Sequence, residues 1–352
     1  MPHLTAEELE RTLFPVAAEL IGGRPTSLIT LPGGASIRRY HRILFDGGRL
    51  PSLVVMELGD NPLKSEEAGK AVAPTELPFL NVQRYLARAG ASVPDIYRYD
   101  AAAGLLYMED LGDITFESRV LHADDAVRAR YYRQAIDQLV ALQRFAAAHP
   151  DPGCVAFTRG FDFDLLKWEL DHFREYGLEA QGHQPTTAER DELERIFRGV
   201  AEELAAEPRG FVHRDYQSRN LMVQDDEAGG APRLRIIDFQ DALLGTRAYD
   251  LVGLLRDSYV ALAPALLDDL VAHFVDAAAL DSGRFARLFN LQVVQRKLKD
   301  AGRFVFIDRV KHNPSFLPHI PNSLEYVRHS LSQLPDLGSL RDILARYLPA
   351  FE

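Results

Sequence analysis

Cysteine is all but missing. Cys154 is the only one in 352 residues, so no disulfide forms within the chain, no cysteine cluster holds a metal, and a cytoplasmic setting is expected. No stretch approaches the roughly 20 consecutive apolar residues of a membrane-spanning helix. The opening "MPHLTAEELERTLFPVAAEL" spreads acidic residues through an amphipathic pattern and lacks the basic start and apolar centre of a secretory signal. Positive charge is never gathered into a run and the formal net charge is -11, which argues against a broad nucleic-acid footprint. Neither a nucleic acid nor a membrane is expected as a partner; small molecules are. No lysine precedes Lys64, and the chain has no internal repeat and no low-complexity tract.

A chain of this length exceeds what one hydrophobic core usually serves, so two lobes are expected. The first third reads as a helix over residues 5–21, then strand-like runs "TSLITL", "SIRRYHRILF" and "SLVVMEL" separated by "PGGA" and "DGGRLP". A helix in "TELPFLNVQRYLARAG" and two more strands, "DIYRYD" and "GLLYMEDLG", complete it. From Asp113 the texture becomes long helical patterns, interrupted at residues 211–239 by a hairpin whose arms "NLMV" and "RLRIIDF" flank a Gly-rich tip. Further helices are expected over 247–280, 283–304 and beyond 321. The fold class is therefore α+β, with a small antiparallel-sheet lobe of residues 1–110 and a larger, mostly helical lobe of 111–352 that meet at "MEDLGD".

The stretch "FVHRDYQSRNLMV" sets His213, Asp215 and Asn220 as H-x-D-x4-N between two apolar runs, and Asp238 follows 18 residues after Asn220 at the end of "RLRII". That places a carboxamide and a carboxylate on opposite sides of one hairpin, able to share a divalent cation such as Mg²⁺, which prefers hard oxygen ligands and is held by few protein groups plus phosphate oxygens. Asp215 precedes the hairpin, where an attacking hydroxyl would be met. A base, a neutralised phosphate chain and positioned groups are what phosphoryl transfer needs.

"VHRDYQSRN" followed by "IIDFQD" resembles the catalytic and metal-binding loops of the protein-kinase-like superfamily. Only "FQDALLGTRAY" separates Asp238 from Asp250, leaving no room for a peptide-docking segment. This compact form is similar to the aminoglycoside phosphotransferase and choline kinase group. The wider pattern, "GGASIRRYHRI", "SLVVMEL", "LLYMEDLGD" and "QRKLKDAGRF", resembles bacterial kinases of N-acetylmuramate and N-acetylglucosamine. That resemblance covers roughly residues 28–335 and implies ATP and Mg²⁺ as cofactors, a sugar 1-phosphate as product, and peptidoglycan recycling as setting. It also implies Asp215 as base with His213 and Arg214 beside it, Asn220 and Asp238 as metal ligands, and Asp250 as a brace for the loop backbone. Arg219 is expected to be structural.

The sequence departs from the kinase pattern in the first lobe. Met56 stands where the phosphate-binding lysine would fall, and Glu76, which would pair that lysine, is left to cap its helix. The nucleotide is assigned to Gly33, Gly34 and Ser36 in the turn, which is equally an ordinary hairpin turn, to Arg38 and Arg39 after it, and to Glu109 and Leu111 at the lobe junction. Arg42 is a further candidate cation; alternation sends Arg38 and Arg42 to one face of the strand and Arg39 to the other. Asp241, Glu169, His172 and Arg296 are candidate sugar contacts, with Lys297 near them. Trp168 is expected in the core. Two rival readings are an antibiotic phosphotransferase, which would suit cationic substrates, and a nucleotide-binding pseudokinase, suggested by the missing lysine.

Overall fold

The computed structural model describes residues 6–32, 38–59, 76–225 and 232–351. Helix α1 (Ala6–Ile21) precedes strands β1 (Arg24–Thr30), β2 (Arg39–Asp46) and β3 (Ser52–Glu57). Helix α2 (Pro78–Arg88) and strands β4 (Ile96–Asp100) and β5 (Leu105–Met108) follow. These strands form an antiparallel sheet in the order β1-β2-β3-β5-β4. Strand β3 is apolar from Leu53 to Met56 because both of its faces are covered there. Leu53 and Val55 pack with Ile43 and Tyr107 beneath α1, whose Leu9, Leu13, Ala17 and Ile21 recur every fourth residue to make one apolar stripe. Val54 and Met56 face the other way and join a core that runs into the helical lobe. Cross-strand register sets Tyr40 opposite Met56 and Arg42 opposite Val54, so Arg42 shares the face of Met56.

The rest is mostly helical: α3 (Phe116–Leu121), α4 (Asp125–Ala148), α5 (Phe163–His172) with a π-helical continuation Phe173–Leu178, and α6 (Thr187–Ala206). Two short ribbons then interleave. Strand β6 (Arg209–Val212) leads to the hairpin of β7 (Leu221–Gln224) and β8 (Arg233–Ile236), and β9 (Leu243–Thr246) returns to pair with β6. Helices α7 (Ala248–Leu255), α8 (Pro264–Ala278), α9 (Ser282–Lys311), α10 (Ile320–Ser332) and α11 (Gly338–Ala345) complete the chain. The helical stretch expected over 247–280 is divided into α7 and α8, and between them Asp257 and Ser258 bond to other elements. This is the two-lobed α+β architecture, and no helix among the described residues is long and apolar enough to cross a membrane.

The interleaving is what builds the site. One loop, residues 213–220, leaves β6 and enters β7; the other, residues 237–242, leaves β8 and enters β9. Because β6 pairs with β9 and β7 with β8, the loops are forced side by side, and the Ile237 N–H donates to the Asn220 carbonyl at 3.1 Å. Phe239, next to Asp238, packs its ring 4.7 Å from that of Phe79 on α2, tying the second loop to the mixed lobe.

Candidate active site

The first loop is pinned by buried carboxylates. Asp250, at the start of α7, accepts the N–H of His213 at 2.6 Å and of Arg214 at 3.0 Å. Asp257, seven residues on, accepts the N–H of Ser218 at 2.8 Å. Burial pushes both carboxyls above their usual range, against the bonds and cations that hold them charged. Sequence reasoning found Asp250 and missed Asp257; a carboxylate two residues past the wholly apolar run "LVGLL" was the available signal.

His213 is fully buried, and its Nδ1 accepts the N–H of Asp215 at 3.2 Å, which places the ring proton on Nε2, donating to the Ile237 carbonyl at 3.0 Å. Desolvation lowers its pKa below 6.5, so the ring is a neutral strut joining the two loops.

Asn220 uses its amide nitrogen to donate to the Asp215 carbonyl at 2.9 Å. That fixes the carboxamide and leaves Oδ1 as its ligating atom. Asp238 sits at a positive φ of 61°, as does Arg214 at 81°. Side chains rarely take this conformation, which costs roughly 1–2 kcal/mol, and such strain gathers at functional sites. Among the described residues, the other two non-glycine residues with positive φ, Ala279 and His312, are ordinary helix C-caps. The Asp238 carboxyl is pushed up to about 6, first by desolvation in the crevice and then by the nearby charge of Asp215. Two neighbouring carboxylates, one of them raised by the charge of the other, beside a carboxamide oxygen, make a donor set suited to a hard divalent cation. No group of three or more histidine, cysteine or acidic side chains able to hold a metal occurs among the described residues. An Mg²⁺ completing its shell with phosphate and water oxygens needs no such group.

Three arginines lie on β2 or immediately before it. Arg38 places Nη1 3.6 Å from Asp238 Oδ1. Arg39, on the opposite face, lies 4.0 Å from Glu57. Arg42 grips the lobe junction, with Nε 2.7 Å from Asp110 and Nη1 2.8 Å from Asp113. Met56 is wholly buried. Glu76 does not cap α2: the cap position is Leu77, and the Glu76 carboxylate takes Arg84 at 2.6 Å and Asn81 at 3.2 Å instead. At the junction, Glu109 is bound by Arg235 and accepts the Asp95 N–H at 3.1 Å. Leu111 lines a cleft of about 510 Å³ shared with Gly112, Asp113, Val223, Gln224 and Arg233. Gly33, Gly34 and Ser36 lie outside the described residues.

The candidate sugar contacts scatter. Asp241 accepts Gln240 Nε2 at 3.1 Å close to Asp238. Arg296 is 1 % exposed, donates to the Arg214 carbonyl at 2.6 Å, approaches Asp215 Oδ1 at 3.8 Å and lies over the Tyr249 ring at 4.4 Å. Lys297 is buried against Asp300 at 2.7 Å. Glu169 has no exposed surface and bonds to Gln295 at 2.6 Å. His172 is buried between the rings of Trp168, Tyr176 and Phe306. Trp168 itself is 46 % exposed: the core placement expected for it is wrong, because Leu166, Leu170 and Phe173 take the inward face of α5 and its continuation. Arg219 forks onto Glu117 at 2.8 and 3.1 Å and stacks on Tyr259 at 3.5 Å, locking the loop to α3.

An N-acetylmuramate/N-acetylglucosamine kinase of Pseudomonas aeruginosa is 32% identical over 334 residues, 91% of this chain and 88% of that protein. The protein of the same name from Pseudomonas putida is 29% identical over 327 residues, again 91% of this chain and 88% of that protein. Among solved structures, the choline kinase LicA from Streptococcus pneumoniae superimposes with a TM-score of 0.59 at 13% identity, covering 91% of this chain and 98% of that one. An ADP-bound aminoglycoside phosphotransferase, APH(2'')-Ib, gives 0.56 at 14%, covering 89% and 96%. The model of the phosphotransferase enzyme family, APH, matches residues 27–286. With that match spanning the sheet and both loops, the chain belongs to the phosphotransferase enzyme family and has its two-lobed, protein-kinase-like fold.

Proposed function

We propose that the protein transfers the γ-phosphoryl group of ATP to the anomeric hydroxyl of N-acetylmuramate or N-acetylglucosamine, giving a sugar 1-phosphate for peptidoglycan recycling in the cytoplasm. The observation that carries the substrate class is the similarity to the Pseudomonas aeruginosa kinase across 91% of the chain, both lobes included. Chemistry at a single crevice supports it: Asp215, Asn220 and Asp238 come from two loops locked together by His213 and by the Asn220 backbone.

In this reading residues 1–110 hold the nucleotide, and residues 111–352 supply the catalytic loop and the acceptor site. The sugar O1–H gives its proton to Asp215 as O1 attacks the γ-phosphorus in line; the bond from phosphorus to the bridging oxygen breaks and ADP leaves with that electron pair. Arg296, beside Asp215 Oδ1, keeps the carboxylate aimed. Asn220 Oδ1 and Asp238 would hold Mg²⁺, which supplies neutralisation of phosphate charge when bound. Arg38 supplies the fixed cation that the third strand lacks, its planar fork suiting phosphate oxygens. Glu109 and Leu111 would meet the nucleobase through the connector, and the half-buried Asp241 is the candidate for an acceptor hydroxyl.

Phosphorus NMR of products from N-acetylmuramate, N-acetylglucosamine, glucose and kanamycin tests acceptor and position together. The expected product from the two amino sugars is a phosphate resonance coupled to the anomeric proton. Phosphate on another hydroxyl, or turnover of kanamycin in preference to the amino sugars, would overturn the assignment.

A further inference from the structure

Arg214 occupies a position that glycine would fill with less strain. Its φ of 81° lies in the left-handed region, open to glycine and disfavoured for every other residue. Its backbone contacts do not need a side chain: the N–H goes to Asp250 and the carbonyl to Arg296. What a glycine lacks is the guanidinium, which is buried above the Phe161 ring at 5.7 Å with Nη2 3.6 Å from Glu169 Oε1. Glu169 is itself held from behind. Its Oε2 accepts Gln295 Nε2 at 2.6 Å, Gln295 Oε1 accepts Gln292 Nε2 at 2.8 Å, and Gln292 Oε1 accepts the Thr246 hydroxyl at 2.6 Å. A line of buried polar contacts thus runs from β9 through α9 and α5 to the residue next to Asp215.

We propose that Glu169 and Arg214 form a positioning pair for Asp215. Arg296 pulls on the carbonyl of Arg214 and on Asp215 from one side; the Glu169–Arg214 pair anchors the same peptide from α5, so the plane joining residues 214 and 215 cannot rotate. Glu169 therefore acts through Arg214 and does not touch the acceptor, which agrees with its lack of exposed surface. This rests on Asp215 being the base. Its consequence is a loss in turnover without a loss in nucleotide binding, because a misplacement of about 1 Å costs on the order of 100-fold in rate.

The discriminating variant is the double substitution Arg214→Gly with Glu169→Gln. It removes the backbone strain and both buried charges together, so no orphaned ion remains in the interior. Thermal midpoint, kcat and KM for MgATP are measured for it and for Glu169→Gln and Asp215→Asn. The expected result is a double variant as heat-stable as the parent, with kcat lowered at least about tenfold, consistent with a displaced base, and KM for MgATP unchanged. A double variant with parental kcat overturns the proposal, since a pair serving only stability would be dispensable once strain and charge are gone. Should the double variant not fold, Glu169→Gln decides alone: it keeps the bond to Gln295, and parental kcat in it has the same meaning. Asp215→Asn separates the two levels. If it turns over normally, the base assignment fails and the pair's role with it; if it is inactive while the double variant is not, only the positioning role fails.

Discussion

Arg38 Nη1 stands 3.6 Å from Asp238 Oδ1, a guanidinium of the mixed lobe reaching the carboxylate of the second loop. Arg38 also bonds to Tyr40, which faces Met56 across the strand pair. A cation therefore reaches the crevice from just before the second strand, on the same face and two residues from the level of Met56.

Replacing Arg38 removes this charge without disturbing the core. Arg38→Met is expected to lower kcat/KM for MgATP by about 10- to 100-fold, the equivalent of one charge-assisted hydrogen bond of about 1.5–3 kcal/mol. Arg38→Lys should recover part of the loss, because it restores charge without the fork. Steady-state kinetics at varied ATP check both.

Asp250 carries the loop backbone. Asp250→Ala strands the buried N–H groups of His213 and Arg214, each worth about 1–3 kcal/mol when unmet, so unfolding free energy should fall by about 2–5 kcal/mol. Urea denaturation followed by tryptophan fluorescence would be a poor reporter alone, since Trp168 is exposed on α5. Circular dichroism is the measurement to use.

Acid and base act on the two loops in opposite directions. The Asp238 carboxyl, raised from 3.8 to about 6, binds a proton more readily folded than unfolded, so its contribution to stability is lost as pH rises through about 6. His213, lowered from 6.5, stays neutral folded and protonates unfolded, so its contribution is lost as pH falls below 6.5. Asp238→Asn should remove the first slope and His213→Asn the second, read as thermal midpoint against pH from 4 to 7.5. Saturating MgATP should also flatten the first slope in the parent, because a bound cation holds Asp238 ionised.

Much of this was legible beforehand, for physical reasons. The H-x-D-x4-N spacing and the later aspartate mark two loops joined by a hairpin, and the interleaved pairing of β6 with β9 and β7 with β8 brings them together. Alternation along β2 correctly separated Arg38 and Arg42 from Arg39. Helical periodicity located α1, α2, α4 and α6 to within a few residues. What periodicity does not carry is partnership between distant segments: Asp257 with Ser218, Glu117 with Arg219, or Arg235 with Glu109. It also does not tell a residue partly open to the crevice from one buried behind the loop, so Glu169 and Arg296 read as equal to Asp241. Trp168 was misjudged because one large ring at a helical position has no neighbour in sequence that reveals which face is covered.

The central claim is that Asp215 takes the acceptor proton in a crevice shared with Asn220 and Asp238. Its most direct test is the turnover number of Asp215→Asn with N-acetylmuramate and MgATP, alongside calorimetric MgATP affinity. The expected result is kcat lower by about 100- to 10,000-fold, as for loss of a general base, with nucleotide affinity and thermal midpoint near those of the parent. Near-parental turnover in that variant would contradict the account.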